Sequence, residues 1–358
     1  MAISAAERDT ARRFWRERLL LEHARHPTAD TALQLARVLW LGGEYADALA
    51  RFVEARDRAP EAPEAHVSLI RSASMLACGD LERDALARAT AQHPRHPDIA
   101  LHAALALVPD DPARAIAWLE PHSGLPLHRQ YLDGIRAVSA MRAPDASHED
   151  PRFAARQDGL AWAMRHARSA ADFAGLPTPV LLRGLAAAPE HGTTLECGVY
   201  HGRSLAIIAA RTAATVHGFD SFEGLPEAWH AGEGAGAYST NGRVPEVAAN
   251  VVLHPGWFED TLPGFFAACD APVRLLHVDC DLYSSTRTVL ACARGHLRPG
   301  SVIVFDDLLG YPGYQDHELR AFEEFVREHG IAWELVAAGL LDRAVAVRLT
   351  HVPDAAQG

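Results

Sequence analysis

Apolar residues recur at helical spacing over the first part of the chain. From about residue 8 to residue 140, apolar positions three or four apart alternate with charged ones, and Pro, Gly or Asp separates the segments. This pattern predicts consecutive amphipathic helices. From residue 179 onward, short β-rich apolar runs alternate with helical stretches, which is typical of a parallel α/β sheet. We therefore expect an all-α domain followed by a doubly wound α/β domain.

The helical part contains a weak internal repeat. Small and large apolar residues fall at tetratricopeptide spacing at Leu35, Ala36, Ala48, Phe52, Ala55 and Pro60. A shift of 34 residues reaches Leu69, Leu86, Ala89 and Pro94, and a shorter third copy covers residues 99–120. Stacked helical hairpins of this kind bury their apolar faces on one another and usually serve protein contact or self-association. A generic helical bundle is the alternative.

The predicted domain limits follow from these changes of pattern. Residues 1–145 form the tetratricopeptide-like domain, and residues 179–358 form the α/β domain. Between them, residues 146–178 hold a linker and a connecting helix from Phe153 to about Ser169. The linker begins in the polar stretch Met141–Pro151, which contains two prolines.

Charge and cysteine content narrow the class of protein. The net charge is -12 and all 34 basic residues are arginine, with no basic stripe suited to a nucleic acid or an anionic membrane. The five cysteines form no Cys-x-x-Cys pair, which indicates reduced thiols. Charges occupy the N-terminus where a signal peptide needs an apolar run, and no stretch approaches the roughly 20 apolar residues of a membrane span. We expect a cytoplasmic protein that acts on small molecules.

Two segments predict a cofactor site. The run TTLECGVYHGRSL is a strand ending at Glu196, a turn with Gly198 and Gly202, and a helix that starts at Arg203 or Ser204. Glycines and a helix N-terminus let a ligand approach backbone N–H groups. Asp220 ends the next strand, 24 residues beyond Glu196, where an acidic residue binds ribose hydroxyls in nucleotide-binding domains. A tight strand-to-helix turn and a turn-capping Asp are the alternative explanations.

Carboxylates also end the two following strands. Asp279 and Asp281 follow one apolar run, and Asp306 and Asp307 follow the next. Parallel strands end at one crevice, so these charges should converge and attract a cation. Oxygen ligands suit Mg²⁺ before Mn²⁺ or Ca²⁺, and the predicted ligands are Asp279, Asp306 and Asp307. If the strand continues past Asp279, Asp281 faces the same side as a general base. The alternative is that each Asp caps a turn or helix.

Five ordered segments resemble one known family. They are LECGVYHGRSL, GFDSFEGLPE, GWFEDTLP, HVDCDLYSSTRTVL and VFDDLLGYPGYQDHELRAFEEF, and the match covers roughly residues 179–349. In this order they are similar to the macrocin O-methyltransferase family. The resemblance implies a Rossmann-like methyltransferase domain that uses S-adenosylmethionine and Mg²⁺ to methylate hydroxyls of sugars on natural products.

The resemblance also implies roles for individual residues. The methionine part of the cofactor would lie on Glu196, Gly198 and Ser204, within a turn that also includes Tyr200 and Gly202. Asp220 and Ser221 would hold the ribose, and Trp257 and Phe258 would lie near the adenine. Asp279, Asp306 and Asp307 match the metal positions, and Asp281 matches a base. Many relatives read F-D-E-Y where this chain has Phe305 to Leu308, which changes substrate contacts more than metal binding.

Some residues and functions remain open. Residues 230–247 are glycine-rich enough to form a lid, and His230 and Tyr238 on it are candidate substrate contacts or incidental loop residues. His317 is either a substrate contact, an alternative base or a structural residue, and His277 is expected to be packed. An oxidoreductase would use a similar sheet, but the G-x-G-x-x-G pattern is missing. A tetratricopeptide scaffold with a non-catalytic domain is the competing function.

Overall fold

The computed structural model describes residues 5–108, 110–144, 148–230 and 232–354. The chain begins with helices only, which confirms the expected all-helical first region. These helices are α1 (Ala5–Arg25), α2 (Ala29–Leu41), α3 (Tyr45–Arg58), α4 (Pro63–Met75), α5 (Gly79–Gln92), α6 (Pro97–Leu107), α7 (Pro112–Leu119) and α8 (Pro126–Ser139). We refer to α1–α8 as the helical region.

Local sequence explains where these helices begin and how they pack. Thr28 caps α2 by accepting a hydrogen bond from the Thr31 backbone N–H, and proline opens α4, α6, α7 and α8. Helix α2 packs on α3, α4 on α5 and α6 on α7. Fully buried alanines such as Ala36, Ala48 and Ala89 allow this close approach. The assignment of these hairpins as tetratricopeptide units stays a prediction.

The connecting helix, α9, spans Pro151–His166 and so lies slightly earlier than its predicted range of Phe153 to Ser169. It starts earlier because Asp150 accepts a hydrogen bond from the Arg152 backbone N–H and Pro151 occupies the first helical position. It ends earlier because Ala167 is extended, and Ser169 then caps a separate short 3-10 turn. Residues 145–147 of the predicted linker lie outside the described residues.

A mixed sheet with flanking helices occupies the rest of the chain. Its strands are β1 (Phe173–Ala174), β2 (Thr193–Cys197), β3 (Val216–Asp220), β4 (Val251–Pro255), β5 (Val273–Val278), β6 (Val302–Phe305), β7 (Ala332–Gly339) and β8 (Val345–His351). Its helices are α10 (Pro177–Ala187), α11 (Arg203–Ala209), α12 (Phe258–Ala268), α13 (Tyr283–Ala293) and α14 (Glu318–Glu328). This arrangement confirms the expected α/β fold. The exact domain limits stay a prediction.

The sheet order within the described residues is β1-β7-β8-β6-β5-β2-β3-β4. Strand β8 runs antiparallel to β6 and β7, and the other pairings are parallel. The chain order reverses between β2 and its neighbours β3 and β5, which is the point where open α/β sheets form a ligand crevice.

The helical region and the sheet share part of one hydrophobic core. A single buried cluster runs from Leu101 and Leu132 in the helices through Leu160 of α9 to Phe305 and Val347 of the sheet. The opposite face of the sheet is covered by α10 and α11, with Val180 and Leu205 buried there. No helix in the described part of the chain has the length and apolarity needed to cross a membrane.

Candidate functional site

A cleft of about 710 Å³ opens outside the carboxyl ends of five neighbouring strands, β6, β5, β2, β3 and β4. Most of the predicted site residues line it. They are Gly198, Tyr200, Asp220, Ser221, Tyr238, Trp257, Phe258, Asp279, Asp281, Asp306 and Asp307. The sheet therefore brings together in one cleft residues that are more than 100 positions apart in the sequence.

The turn after β2 is shaped by Gly198. Its φ is +95°, and a Cβ at this position would lie 1.7 Å from the backbone oxygen of Asp279. Only glycine permits so close an approach of the two strand ends. Asp279, the first acidic residue after β5, therefore lies directly beside the predicted cofactor turn.

Three predicted cofactor residues lie behind the cleft rather than on its wall. Glu196 is fully buried, and its Oε1 accepts a hydrogen bond of 2.8 Å from Nδ1 of His277. Its Oε2 has no hydrogen-bond partner among the described residues. Gly202 and Ser204 lie at the start of α11, with Ser204 buried. His277 is packed in the structure, with Glu196 as its partner.

Asp220 binds the protein backbone on both of its oxygens. Oδ2 accepts hydrogen bonds of 2.8 Å from the N–H groups of Val199 and Tyr200, and Oδ1 accepts one of 2.7 Å from Phe222. The carboxylate thus fastens the β2 turn to the end of β3. A carboxylate offers about four acceptor positions, so Oδ1 keeps room for one further donor from the cleft.

An acidic cluster occupies the β5 and β6 side of the cleft. Asp279, Asp281 and Asp307 each offer a carboxylate oxygen, and these oxygens lie within 4.8 Å of one another. Asp306 lines the same wall. This cluster includes Asp281, whereas the predicted ligand set has Asp306 in place of Asp281. All four carboxylates face one space.

Burial and mutual repulsion raise the pKa values of this cluster. For Asp279 the causes are burial and then the negative charges of Asp306 and Asp281, and its pKa is well above the usual value. Burial, and then the negative charge of Asp307, also raises the pKa of Asp281 well above its usual value. The pKa of Asp307 rises to about 6 because of burial and Asp306, although Arg343 opposes the shift. A cation would relieve the repulsion within this group.

Asp281 reaches the cleft by a different route from the predicted one. Strand β5 ends at Val278, so Asp281 is not in an extended strand, and its φ is +62°. The expectation that strand alternation aims its side chain is therefore wrong. A left-handed turn aims the carboxylate instead, an unusual conformation for a non-glycine residue.

Two functional candidates escaped the sequence analysis. Glu318, at the start of α14, is fully buried, and its Oε1 accepts hydrogen bonds of 3.2 Å from the backbone N–H groups of Cys280 and Asp281. Its Oε2 has no hydrogen-bond partner among the described residues. Arg343, in the turn between β7 and β8, donates a hydrogen bond of 2.5 Å to Oδ1 of Asp307. In sequence, Glu318 resembles a solvent-facing residue of an amphipathic helix, and Arg343 belongs to an unremarkable turn.

An aromatic group borders the acidic cluster. The Trp229 ring lies 5.2 Å from that of Tyr311, and its Nε1 donates a hydrogen bond of 3.3 Å to the Tyr311 hydroxyl. His230 lies 5.8 Å and His317 6.2 Å from the Tyr311 ring. The two predicted substrate histidines are thus gathered beside the cleft, while Tyr238 lines it directly. Ala231 of the predicted lid lies outside the described residues.

Residues 195–308 match the family model described as a methyltransferase domain. Every residue that lines the cleft lies inside this range. The helical region, Glu318 and Arg343 lie outside it. The lining of the cleft therefore lies within the residues that match the methyltransferase-domain model.

Two curated proteins resemble part of the chain. An 8-demethyl-8-(2,3-dimethoxy-alpha-L-rhamnosyl)-tetracenomycin-C 4'-O-methyltransferase of Streptomyces olivaceus is 34% identical over 32% of this chain and 52% of that protein. A demethyldecarbamoylnovobiocin O-methyltransferase of Streptomyces niveus is 28% identical over 40% of this chain and 62% of that protein. The chain thus spans about half to three fifths of the length of these relatives.

Among solved structures, a calicheamicin methyltransferase is 23% identical, with a TM-score of 0.39, over 48% of this chain and 76% of that chain. The O-methyltransferase NovP is also 23% identical, with a TM-score of 0.34, over 48% of this chain and 77% of that chain.

Proposed function

We propose that this chain is an S-adenosylmethionine-dependent O-methyltransferase of the macrocin type. Its acceptor would be a hydroxyl of a sugar or glycosylated natural product, and Mg²⁺ or Mn²⁺ would assist. The observation that carries the proposal is the acidic cluster at the methyltransferase domain's strand ends, directly beside the glycine turn. The two curated relatives support this proposal, because both are O-methyltransferases and one acts on a rhamnosyl compound.

The cleft suits a donor and an acceptor together. A volume of about 710 Å³ falls within the range of small-molecule sites. The turn at Gly198 and Tyr200, with Asp220 and Ser221, would hold the donor, and Trp257 and Phe258 would flank its adenine. The acceptor would then lie between this turn and the acidic cluster.

The carboxylates fit a hard divalent cation. The donor atoms are all oxygen, and those of Asp279, Asp281 and Asp307 lie within 4.8 Å of one another. Asp281 and Asp307 are buried, and Arg343 forms an ion pair with Asp307. Asp279, Asp306 and Asp307 would hold the metal. When bound, the metal supplies an electrophilic centre that lowers the pKa of the acceptor hydroxyl, and the donor supplies an electrophilic methyl group.

The chain's own residues have three tasks in this reaction. Asp281 accepts the proton of the acceptor hydroxyl as the new C–O bond forms and the methyl–sulfur bond breaks. Glu318 holds the Asp279–Asp281 turn through its two backbone hydrogen bonds. Trp229 and Tyr238 keep water away from the reacting oxygen. His317 is the alternative base, and burial lowers its pKa, which favours the neutral form that a base requires.

Calorimetric titration with S-adenosylmethionine tests the cofactor assignment. We expect the wild type to bind, Asp220→Asn to bind at least about tenfold more weakly because an amide breaks the turn's hydrogen bonds, and Asp260→Asn, an exposed control, to bind normally. If the wild type does not bind, the enzyme proposal is wrong, and the scaffold alternative takes its place.

Binding of Mn²⁺ followed by electron paramagnetic resonance separates ligands from the base. If Asp306 is a ligand and Asp281 the base, Asp306→Asn weakens Mn²⁺ binding, and Asp281→Asn mainly slows methyl transfer. The opposite pattern would make Asp281 the ligand, in agreement with the three clustered oxygens, and would leave His317 as the base.

The helical region is proposed to mediate self-association or another protein contact. Phe14, Trp15 and Leu21 of α1 are exposed, which supports this role. Light scattering after size exclusion, with the wild type and Trp15→Gln, tests it. A monomeric wild type over a wide concentration range would contradict self-association.

A further inference from the structure

Helix α1 reaches across to the methyltransferase domain through one ion pair. Arg243 donates a hydrogen bond of 2.5 Å from Nη2 to Oδ1 of Asp9, although 234 positions separate the two residues. The Asp9 side chain is only 12% exposed. Arg12 and Arg13 of the same helix also pair with it. The Arg243 side chain is 47% exposed, so water reaches the pair from the Arg243 side only.

Arg243 ends a short stretch that we call the anchor segment, residues 236–243. The hydroxyl of Thr240 donates a hydrogen bond of 2.7 Å to the Arg243 carbonyl. The N–H groups of Thr240 and Gly242 donate to the carbonyl of Phe222 at 3.2 and 3.0 Å. Phe222 in turn donates to Asp220 in the cleft. Leu225 also exchanges hydrogen bonds with Gly236 and Ala237, so the anchor segment is held by the loop after β3 at several points and by α1 through Arg243.

The anchor segment also forms part of the cleft wall. Tyr238 lines the cleft, and its ring lies edge-on at 5.9 Å from that of Tyr200 on the β2 turn. Tyr238 has a φ of +61° and Tyr200 one of +51°. Both tyrosines thus have backbone conformations that neighbouring structure must hold in place.

The helical region touches the β2 turn next to this pair. Gly43, between α2 and α3, has a φ of +79°, and a Cβ there would lie 2.7 Å from Cβ of His201. Arg12 donates a hydrogen bond of 2.8 Å to the carbonyl of Leu41 and so holds α1 against this same corner. The helical region thus meets both the anchor segment and the cofactor turn.

We propose that Asp9 is a positioning residue for the methyltransferase cleft. By holding Arg243, it fixes the anchor segment so that Tyr238 stays against Tyr200 and closes the wall between donor and acceptor. The helical region then completes the active site, in addition to any protein contact it makes. This inference rests on the proposed function for its effect on methyl transfer, but the effect on the anchor segment does not depend on it.

Hydrogen–deuterium exchange of residues 236–243 tests the contact directly. Asp9→Asn and Arg243→Gln should each speed exchange there by roughly tenfold, since the first removes the negative charge that strengthens the hydrogen bond and the second removes the guanidinium donor. Arg243→Gln also removes the 3.2 Å hydrogen bond from Arg243 Nε to the Thr240 carbonyl, so the double variant should exchange no faster than Arg243→Gln alone. Glu120→Gln removes another ion pair within the helical region, with Arg136, and should leave the anchor segment unchanged.

Steady-state kinetics and calorimetry give the functional readout. Asp9→Asn should raise KM for the acceptor or Kd for S-adenosylmethionine by about three- to tenfold while kcat changes little, because the side chain touches no reacting atom. Unchanged exchange in both single variants, or additive effects in the double variant, would overturn the inference. If wild type binds no S-adenosylmethionine, the proposed function fails, but the exchange data still decide the contact.

Discussion

The helical region and the acidic end of the sheet bury different kinds of side chain. In the helical region the fully buried residues are mainly apolar, such as Ala36, Leu69 and Ala89. At the sheet end, Asp281 and Asp307 are buried beside the fully buried Glu318, with few cations near them. Burying apolar surface stabilises a fold, whereas burying crowded carboxylates costs stability. The comparison indicates that the helices contribute stability and shape, whereas the buried carboxylates at the sheet end lower stability and serve binding.

The largest expected effect comes from Asp279→Asn. Loss of this carboxylate should reduce methyl transfer on the order of a hundredfold or more, because a ligand charge is lost. The melting temperature of the metal-free protein should stay the same or rise, since repulsion with Asp306 and Asp281 is removed. Activity assays and thermal melts check both. Asp260→Asn is the control, and a large fall in melting temperature would break the comparison.

Leu69→Ala should show the reverse pattern. Leu69 is fully buried, so its truncation should lower the free energy of unfolding by about 2–5 kcal/mol through lost burial and a cavity. Activity per folded molecule, measured well below the melting transition, should change little. Denaturant unfolding gives the stability, with the exposed Leu125→Ala as control. A selective loss of kcat in folded protein would contradict this division of roles.

Substitutions of Glu318 test whether its hydrogen bonds or its charge support metal binding at the acidic cluster. Glu318→Ala removes the acceptor of the Cys280 and Asp281 N–H groups and should weaken metal binding by roughly 10–100-fold. Glu318→Gln keeps one acceptor oxygen and should recover much of this affinity. Mn²⁺ titration measures the effect, and Glu328→Ala at the exposed end of the same helix is the control. Equal damage in both Glu318 variants would show that the charge, not the hydrogen bonds, matters.

The smallest effects concern pH, and they should have opposite signs in the two regions. Burial lowers the pKa of His102 in α6 to about 4, so its stabilising contribution is present above about 6.5 and is lost as the pH falls toward 4. The pKa of Asp307 is raised to about 6, so its contribution is present below about 4 and is lost as the pH rises through 6.

Unfolding measured from pH 4 to 8 without metal tests these signs. His102→Gln should reduce the rise in stability between pH 4 and 6.5 by on the order of 1 kcal/mol, and Asp307→Asn should reduce the fall in stability between pH 4 and 6. The exposed His26→Gln should leave the pH dependence of stability unchanged. If His102→Gln and Asp307→Asn changed the slope in the same direction, the two regions would not differ in the way we describe.

The sequence predicts the parts of the site that are local. Asp220, Asp279 and the Asp306–Asp307 pair end strands or follow them directly, so hydrophobic runs and turn residues locate them. The all-helical first region is equally predictable from the sequence, because its apolar residues recur at regular helical spacing. These features depend on residues that are close together in the sequence, so sequence patterns predict them.

The remaining features depend on contacts between distant segments. Glu318 meets Asp281 across 37 positions, and Asp9 meets Arg243 across 234. No glycine or proline marks the left-handed turn at Asp281 in the sequence. The buried Glu318 supports this turn instead. Edge strand β1 has only two residues and forms because β7 offers a free edge. No local pattern encodes such partners.

The most direct test of the central claim is transfer of a labelled methyl group from S-adenosylmethionine to glycosylated acceptors, with Mg²⁺ and after chelation. We predict transfer to a sugar hydroxyl that requires the metal, that is lost in Asp279→Asn and that is kept in Asp260→Asn. Transfer that is indifferent to both chelation and the Asp279 substitution would contradict the assignment of the acidic cluster as a metal-assisted methyl-transfer site.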